Sequence, residues 1–497
     1  MWTFLVALAI LIGGYFFYSR FSEKVFAIDE RKTPAIASPD GVDKQPLAKW
    51  KAFLIELLNI AGTGPIFGAI SGALFGPIVF VWIVFGCLLG GAVHDYFSGM
   101  ISSRNDGDSM ARISGQYGGK VVKIFLTIFS VILLILVTAV FVVSPSSLLE
   151  ELTLGGMPAW AWMIIILAYY LLSAIVPIDK IIGKAYPVFG VILIVMALAV
   201  IIGVFFQQGS YPMLELIGHF KDYSKLHGDL PWWPFMFVTV ACGAVSGFHA
   251  TQSPVIAKCI KSEKEGRQVF YGAMVAEGII ALIWAAAAMA FFSTDTSEGF
   301  DALMALGGGN SISVTHICEG LLGKVGTILA IVGVVICPIT SGDTALRSCR
   351  LIIGEALHID QKSIKNRLLV TLPLFAIVIG LSIWNFMDVT NFNILWRWFA
   401  WSNQVIAAFT LVIITIYLLK EGKYMWGSLI SALPGAFMIA VTVTYILGEP
   451  KIALGQFIPM NVAYIIGGVV AFIILVFYFF FLFKLRVLKK DEKPQIT

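Results

Sequence analysis

Between Asn59 and Gly68 the chain reads NIAGTGPIFG, inside an apolar run over 52–75 that otherwise suits a helix in a bilayer. Pro65 removes a backbone donor and clashes with the preceding turn. Gly62 and Gly64 accept φ/ψ values closed to other residues, so the helix is expected to open there. In hydrocarbon the freed N–H and C=O groups are costly, and such a break survives only against protein or a wet cavity. The half-helix starting at Pro65, with Thr63 or Gly64 at its N-cap, offers N–H groups and a partial positive charge suited to a carboxylate. The half ending near Gly62 offers carbonyls suited to a cation. Asn59, Gly62, Thr63, Gly64 and Pro65 are therefore candidate substrate ligands; the competing reading is a proline kink relieved by neighbouring helices.

A second apolar stretch, 232–258, carries CGAVSGFHATQSP, with Gly243, Ser246 and Gly247 at its middle and His249 just beyond. Ser246, Gly247 and His249 join the candidate binding set; a histidine satisfied by a neighbouring carbonyl is the alternative for His249. Ionisable groups at membrane depth are costly and usually functional. His94 and Asp95 lie together in GGAVHDYFSG and Glu277 near the centre of 268–292. Asp95 or His94 can carry a proton, although adjacent helical residues point about 100° apart, so only one should face the bundle. A helix-end pair wetted by solvent is the other reading. Glu277 is either a coupling group or a protonated structural acid. In CPITSGDTALR, Thr340, Ser341 and Asp343 supply an oxygen set suited to Na⁺; a capped helix end is the alternative, since Pro338 and Gly342 already mark a break.

These residues need a membrane scaffold. The chain is 59% hydrophobic and 13% charged, with mean hydropathy +0.89, against about 25% charged residues in soluble domains. It is read as an all-α polytopic membrane protein. Stretches able to cross about 30 Å of hydrocarbon fall near 1–18, 52–75, 77–101, 121–143, 159–177, 184–206, 232–258, 268–292, 322–345, 367–386, 392–419, 426–447 and 460–487. That predicts about 13 spans. With the N-terminus outside, 29 of the 34 Lys and Arg fall in inner segments, as the positive-inside rule requires. The C-terminus is then cytoplasmic, and residues 1–18 form a retained N-out helix.

The breaks at Thr63 and Val245 lie five spans apart, so the second copy is inverted, and paired interrupted helices in opposite halves point to a transporter site. The expected layout is a five-plus-five inverted repeat, 52–206 and 232–419, with one helix before it and two after. A cytoplasmic linker over 19–51, an outer loop over 207–231 and a final pair of helices with a cytoplasmic tail over 420–497 complete it. Gly64, Gly68, Gly72 and Gly76 share a face that should pack closely against another helix. Arg397, flanked by Trp396 and Trp398, reads as a snorkelling cation in an aromatic belt.

Six cysteines without CxxC spacing predict neither a disulfide framework nor structural zinc, and no cofactor is expected. No basic patch with interleaved aromatics suggests nucleic acid. The chain has no GxxxxGK[ST], HExxH or GxSxG, so ATP-driven pumping and hydrolase chemistry lack residues to run them. An enzyme is not expected.

The segments NIAGTGPIFGAISG and GGAVHDYFSGMISSRNDGDSM, with CGAVSGFH and TSGDTALRSCR, resemble the carbon starvation protein A family of prokaryotic inner-membrane transporters. The resemblance covers roughly 30–390, and the chain looks like a short member. It implies the fold of amino acid–polyamine–organocation (LeuT-like) transporters and secondary uptake of pyruvate or of peptides. It points to Asn59 through Pro65, His94, Asp95, Ser246 through His249 and Thr340 through Asp343. The residues themselves favour a small carboxylate such as pyruvate, since no pair of opposite charges stands at the breaks to hold a zwitterion. Coupling to H⁺ or Na⁺, a peptide substrate, and a nutrient receptor that binds without translocating stay open.

Overall fold

The computed structural model describes residues 1–497 except 42, 154, 176–177, 220–230, 307, 362, 451–455 and 492–497. Among the described residues the only regular structure is helix. Ten helices among the described residues are long and apolar enough to cross a membrane: Trp2–Phe26, Ile78–Arg104, Met110–Leu152, Lys184–Phe206, Glu263–Phe292, Gly326–Leu357, Ile364–Met387, Asn391–Glu421, Met425–Gly448 and Met460–Leu485. The bent pair Lys49–Ala61 and Gly64–Phe75 makes an eleventh if it counts as one span, and Ala159–Ser173 is a shorter apolar helix. In hydrocarbon a helix satisfies its own backbone groups, which is why so apolar a chain resolves this way.

Position in the bundle follows side-chain size and polarity. In Glu263–Phe292, 83% of the most apolar stretch is buried, against 17% in Met460–Leu485. The former carries Ala285, Ala286, Ala287 and Ala288, all fully buried, and small residues let neighbouring backbones approach. The latter points Phe472, Phe477 and Phe480 outward, where lipid is the solvent.

Both interrupted stretches are broken. The first bends by 57° at Gly62, whose φ of 52° and ψ of −150° suit glycine alone. The second consists of Trp232–Thr239 and His249–Ala257, with Gly243 between them at φ 85°. They meet at the glycine stripe. A Cβ on Gly64 would lie 2.3 Å from Cys242 Sγ, one on Gly68 2.8 Å from the Thr239 carbonyl, and one on Gly72 2.5 Å from Val240 Cγ2. The stripe is a packing seam between the two broken segments.

Two regions carry helices that the sequence reading did not place. The stretch between the spans read at 268–292 and 322–345 contains helix Ser297–Ala305, capped by Thr296, and the start of Ser311–Leu357, capped by Asn310. The segment after 102 likewise turns helical at Met110, capped by Ser109. These surface helices are amphipathic and capped, so a hydropathy window passes over them. The helical stretches that start at Met110 and Ser311 each run into a long helix through a glycine with positive φ, Gly119 (86°) and Gly323 (64°). The linker after Phe26 lies across one end of the bundle. Thr33 Oγ1 donates to the Ile260 carbonyl at 2.6 Å, Leu47 N to Cys259 O at 3.0 Å, and Lys44 pairs with Asp106 at 2.6 Å. Of the expected loop over 207–231, residues 220–230 lie outside the described residues.

Candidate functional site

At the first break the freed backbone groups meet one hydroxyl. Ser341 Oγ accepts from the Gly62 N–H at 3.0 Å and donates to the Leu58 carbonyl at 2.5 Å. Both groups are therefore engaged, so the Leu58 carbonyl is not among the carbonyls that the half ending near Gly62 could offer a cation. The chain re-enters helix at Gly64, one residue before Pro65, with Thr63 as N-cap; the Thr63 carbonyl accepts from Phe67 N at 2.8 Å. The Asn59 amide and the Thr63 hydroxyl are buried with no hydrogen-bond partner. Buried polar atoms are normally paired, so these two are the groups at the first break best placed to meet a ligand.

The second break is closed by side chains from other spans. Asn403 Oδ1 accepts from Phe248 N at 2.6 Å and from Ser246 Oγ at 3.2 Å. Gln404 Nε2 donates to the Phe237 carbonyl at 2.9 Å, and Trp82 Nε1 to Val240 O at 2.9 Å. A Cβ on Gly247 would come within 2.2 Å of the Asn403 carbonyl. Ser246 and Gly247 thus hold the break together. Asn403 and Gln404 were not foreseen, although an adjacent Asn-Gln pair in an apolar span was a legible signal.

The ionisable residues converge. His94 Nδ1 lies 2.8 Å from Asp95 Oδ1, Asp95 Oδ2 lies 2.8 Å from His249 Nδ1, and His249 Nε2 lies 3.3 Å from Glu277 Oε2. All four side chains are fully buried, which removes the reading of His94 and Asp95 as a solvated helix end. The angular argument that only one of the pair faces inward is also overturned. Both are interior, and the imidazole and carboxylate turn toward each other. With the Nδ1 proton of His249 assigned to its bond with Asp95, a neutral ring would turn the lone pair of Nε2 toward the Glu277 carboxylate. Two acceptors at that distance repel; one proton between them completes the ladder. Glu56, not among the expected residues, adds a further buried acid. Its Oε1 accepts from Ser253 at 2.7 Å and its Oε2 has no partner. Its signal was plain, an acid in the same apolar run as Asn59, one turn away.

The oxygen set proposed for Na⁺ does not converge. Thr340 Oγ1 donates back to the carbonyls of Ile336 and Cys337 at 3.0 and 2.9 Å, Ser341 serves the first break, and Asp343 faces another helix pair. Its Oδ2 accepts from Tyr186 at 2.6 Å, Ser173 at 2.7 Å and Tyr169 at 3.2 Å. Successive residues rotate by about 100°, so these three oxygens reach three different neighbours.

Comparison with known proteins adds the following. The family model described as "Carbon starvation protein CstA" matches residues 1–161, 147–298 and 293–445. An uncharacterized membrane protein of Haemophilus influenzae is 41% identical over 59% of this chain and 91% of its own. A peptide transporter CstA of Helicobacter pylori is 25% identical over 89% of this chain and 81% of its own. A pyruvate/proton symporter BtsT of Escherichia coli is 26% identical over 57% of this chain and 48% of its own. Among solved structures, a variant of the Eremococcus coleocola manganese transporter superposes with TM-score 0.53 at 11% identity, covering 90% of this chain and 99% of that one. MhsT in complex with L-phenylalanine gives 0.52 at 12%, covering 87% and 99%. At these identities the structural likeness establishes the fold. The relatives with a named activity and these structural neighbours are transporters, not enzymes.

Proposed function

We infer the function from a premise now in hand: this chain belongs to the carbon starvation protein CstA family. We propose a secondary active symporter of the prokaryotic inner membrane that imports a small carboxylate such as pyruvate. Substrate binds at the breaks around 62–65 and 243–247, and transport is driven by H⁺ through the Asp95–His249–Glu277 ladder. The observation that carries this reading is His249 itself. It directly follows the second break and lies between two fully buried carboxylates from two other spans, so protonation there and the geometry of the break are mechanically joined. Asn59 and Thr63 would face the substrate. No cofactor is needed, and Na⁺ coupling is the less favoured alternative because Thr340, Ser341 and Asp343 diverge.

Thirteen spans in a five-plus-five inverted repeat, N-terminus outside, fit this function. Support comes from paired backbone features. Gly62 and Gly243 open the first helix of each half, and Gly119 and Gly323 introduce the third helix of each half, all with positive φ. Peptide import is the second reading, favoured by the name of the relative matching over 89% of the chain. Competition decides between them. Excess unlabelled pyruvate should abolish labelled pyruvate uptake into proteoliposomes, while dipeptides at the same concentration leave it within twofold; strong dipeptide competition would move the assignment to peptides. A receptor that binds without translocating would show binding and no uptake of either.

A further inference from the structure

Cys242 and His249 flank the second break, and Glu277 reaches them from the adjoining span. One ligand atom from each lies within 4.8 Å of the other two, and all three side chains are buried. Ligands of a single tetrahedral ion stand roughly 3 to 4 Å apart, so small side-chain rotations close the set. Two further facts point to a ligand. His249 Nε2 and both Glu277 carboxylate oxygens make no hydrogen bond although fully enclosed, and the imidazole and carboxylate face each other only at 3.3 Å, room that a cation between them would use. The other ring nitrogen, Nδ1, is held by Asp95 at 2.8 Å. A carboxylate behind one imidazole nitrogen fixes the tautomer and ring orientation and raises the basicity of the other nitrogen toward a cation.

We propose that Cys242, His249 and Glu277 form a binding site for a thiophilic divalent cation of the Zn²⁺ class. One thiolate, one imidazole and one carboxylate suit such an ion better than Mg²⁺ or Ca²⁺, which take oxygen ligands. Three protein ligands leave a fourth position open. The thiol is also within reach of Ser246 Oγ at 3.6 Å and Asn403 Nδ2 at 4.0 Å. Because Cys242 precedes the break and His249 follows it, a bound ion ties both of its sides to the span carrying Glu277. Zn²⁺ is therefore expected to arrest the break in one geometry and inhibit transport. The cysteine pattern in the sequence hid this set, since Cys242 and His249 are joined through non-helical backbone and Glu277 is remote in the chain.

The test is direct binding to the purified full-length protein in detergent or nanodiscs, without substrate or gradient, so it succeeds or fails independently of the symporter reading. Titration with Co²⁺ should give one site per chain with thiolate-to-cobalt charge-transfer absorption, displaced by Zn²⁺. C242S should lose that absorption, E277Q should weaken binding at least tenfold, and D95N should weaken it by about 10–100-fold, as for an outer-shell partner. C259S, which removes another buried cysteine, should keep the signal. Absence of saturable binding, or an unchanged spectrum in C242S, overturns the proposal. Should C242S fail to fold, X-ray absorption of the Zn²⁺-loaded wild type decides: one sulfur in the first shell supports the site, and a shell of nitrogen and oxygen alone refutes it.

Discussion

In the proposed mechanism His249 carries the coupling, and that role separates into measurable parts. If the ladder carries the coupling proton, Asp95→Asn should remove accumulation driven by a pH gradient by more than tenfold. Exchange of labelled for unlabelled substrate, which needs no net proton movement, should persist. His249→Gln should behave alike, and loss of exchange as well as accumulation would mark a purely structural role. Ser341→Ala tests the capping of the first break. It leaves the Gly62 N–H and the Leu58 carbonyl unpaired in a buried site, at a cost of about 1–3 kcal/mol, readable as a lowered thermal midpoint. His94, Asp95, His249 and Glu277 were legible in the sequence because ionisable groups stand out against hydrocarbon. Ser341 and Asn403 as caps were not, because each satisfies backbone far away in the chain, 279 and 155 residues distant, and only the packed fold shows such pairs.

The two broken segments act as one element because they touch along glycine. Gly64→Ala would place a methyl 2.3 Å from Cys242 Sγ, and overpacking of this kind typically costs about 1–3 kcal/mol. The variant should show a lower thermal midpoint and impaired uptake; Ala at Gly13, where a Cβ meets nothing within 4 Å, should leave both unchanged. Both breaks were legible from Gly and Pro chemistry, and the stripe from its four-residue period. The capped surface helices at Met110 and Ser297 were not, because a helix that is polar on one side leaves no mark in a hydropathy average.

At the scale of the whole molecule, the linker after Phe26 belts one end of the bundle. Asp43 pairs with Arg347 at 3.2 Å. Burial alone would raise the Asp43 carboxyl, but Arg347 and the neighbouring cations hold it below its ordinary value of 3.8. A depressed carboxylate contributes stability that is fully present above the unfolded value and is lost as pH falls through the folded one. The belt is therefore unaffected between pH 5 and 8. Asp43→Asn should lower stability, by about 3–5 kcal/mol for a broken buried pair, yet leave the shape of the transport–pH profile in that window unaltered. A changed profile would assign the belt a part in coupling.

The central claim is that the buried ladder couples a proton gradient to movement of a small carboxylate. Its most direct test is uptake of labelled pyruvate into proteoliposomes holding the purified protein, with pH and Na⁺ gradients imposed separately, for wild type and Asp95→Asn. The account predicts accumulation above the external concentration under the pH gradient alone, absent in Asp95→Asn. Accumulation driven only by Na⁺, or undiminished in Asp95→Asn, would contradict it.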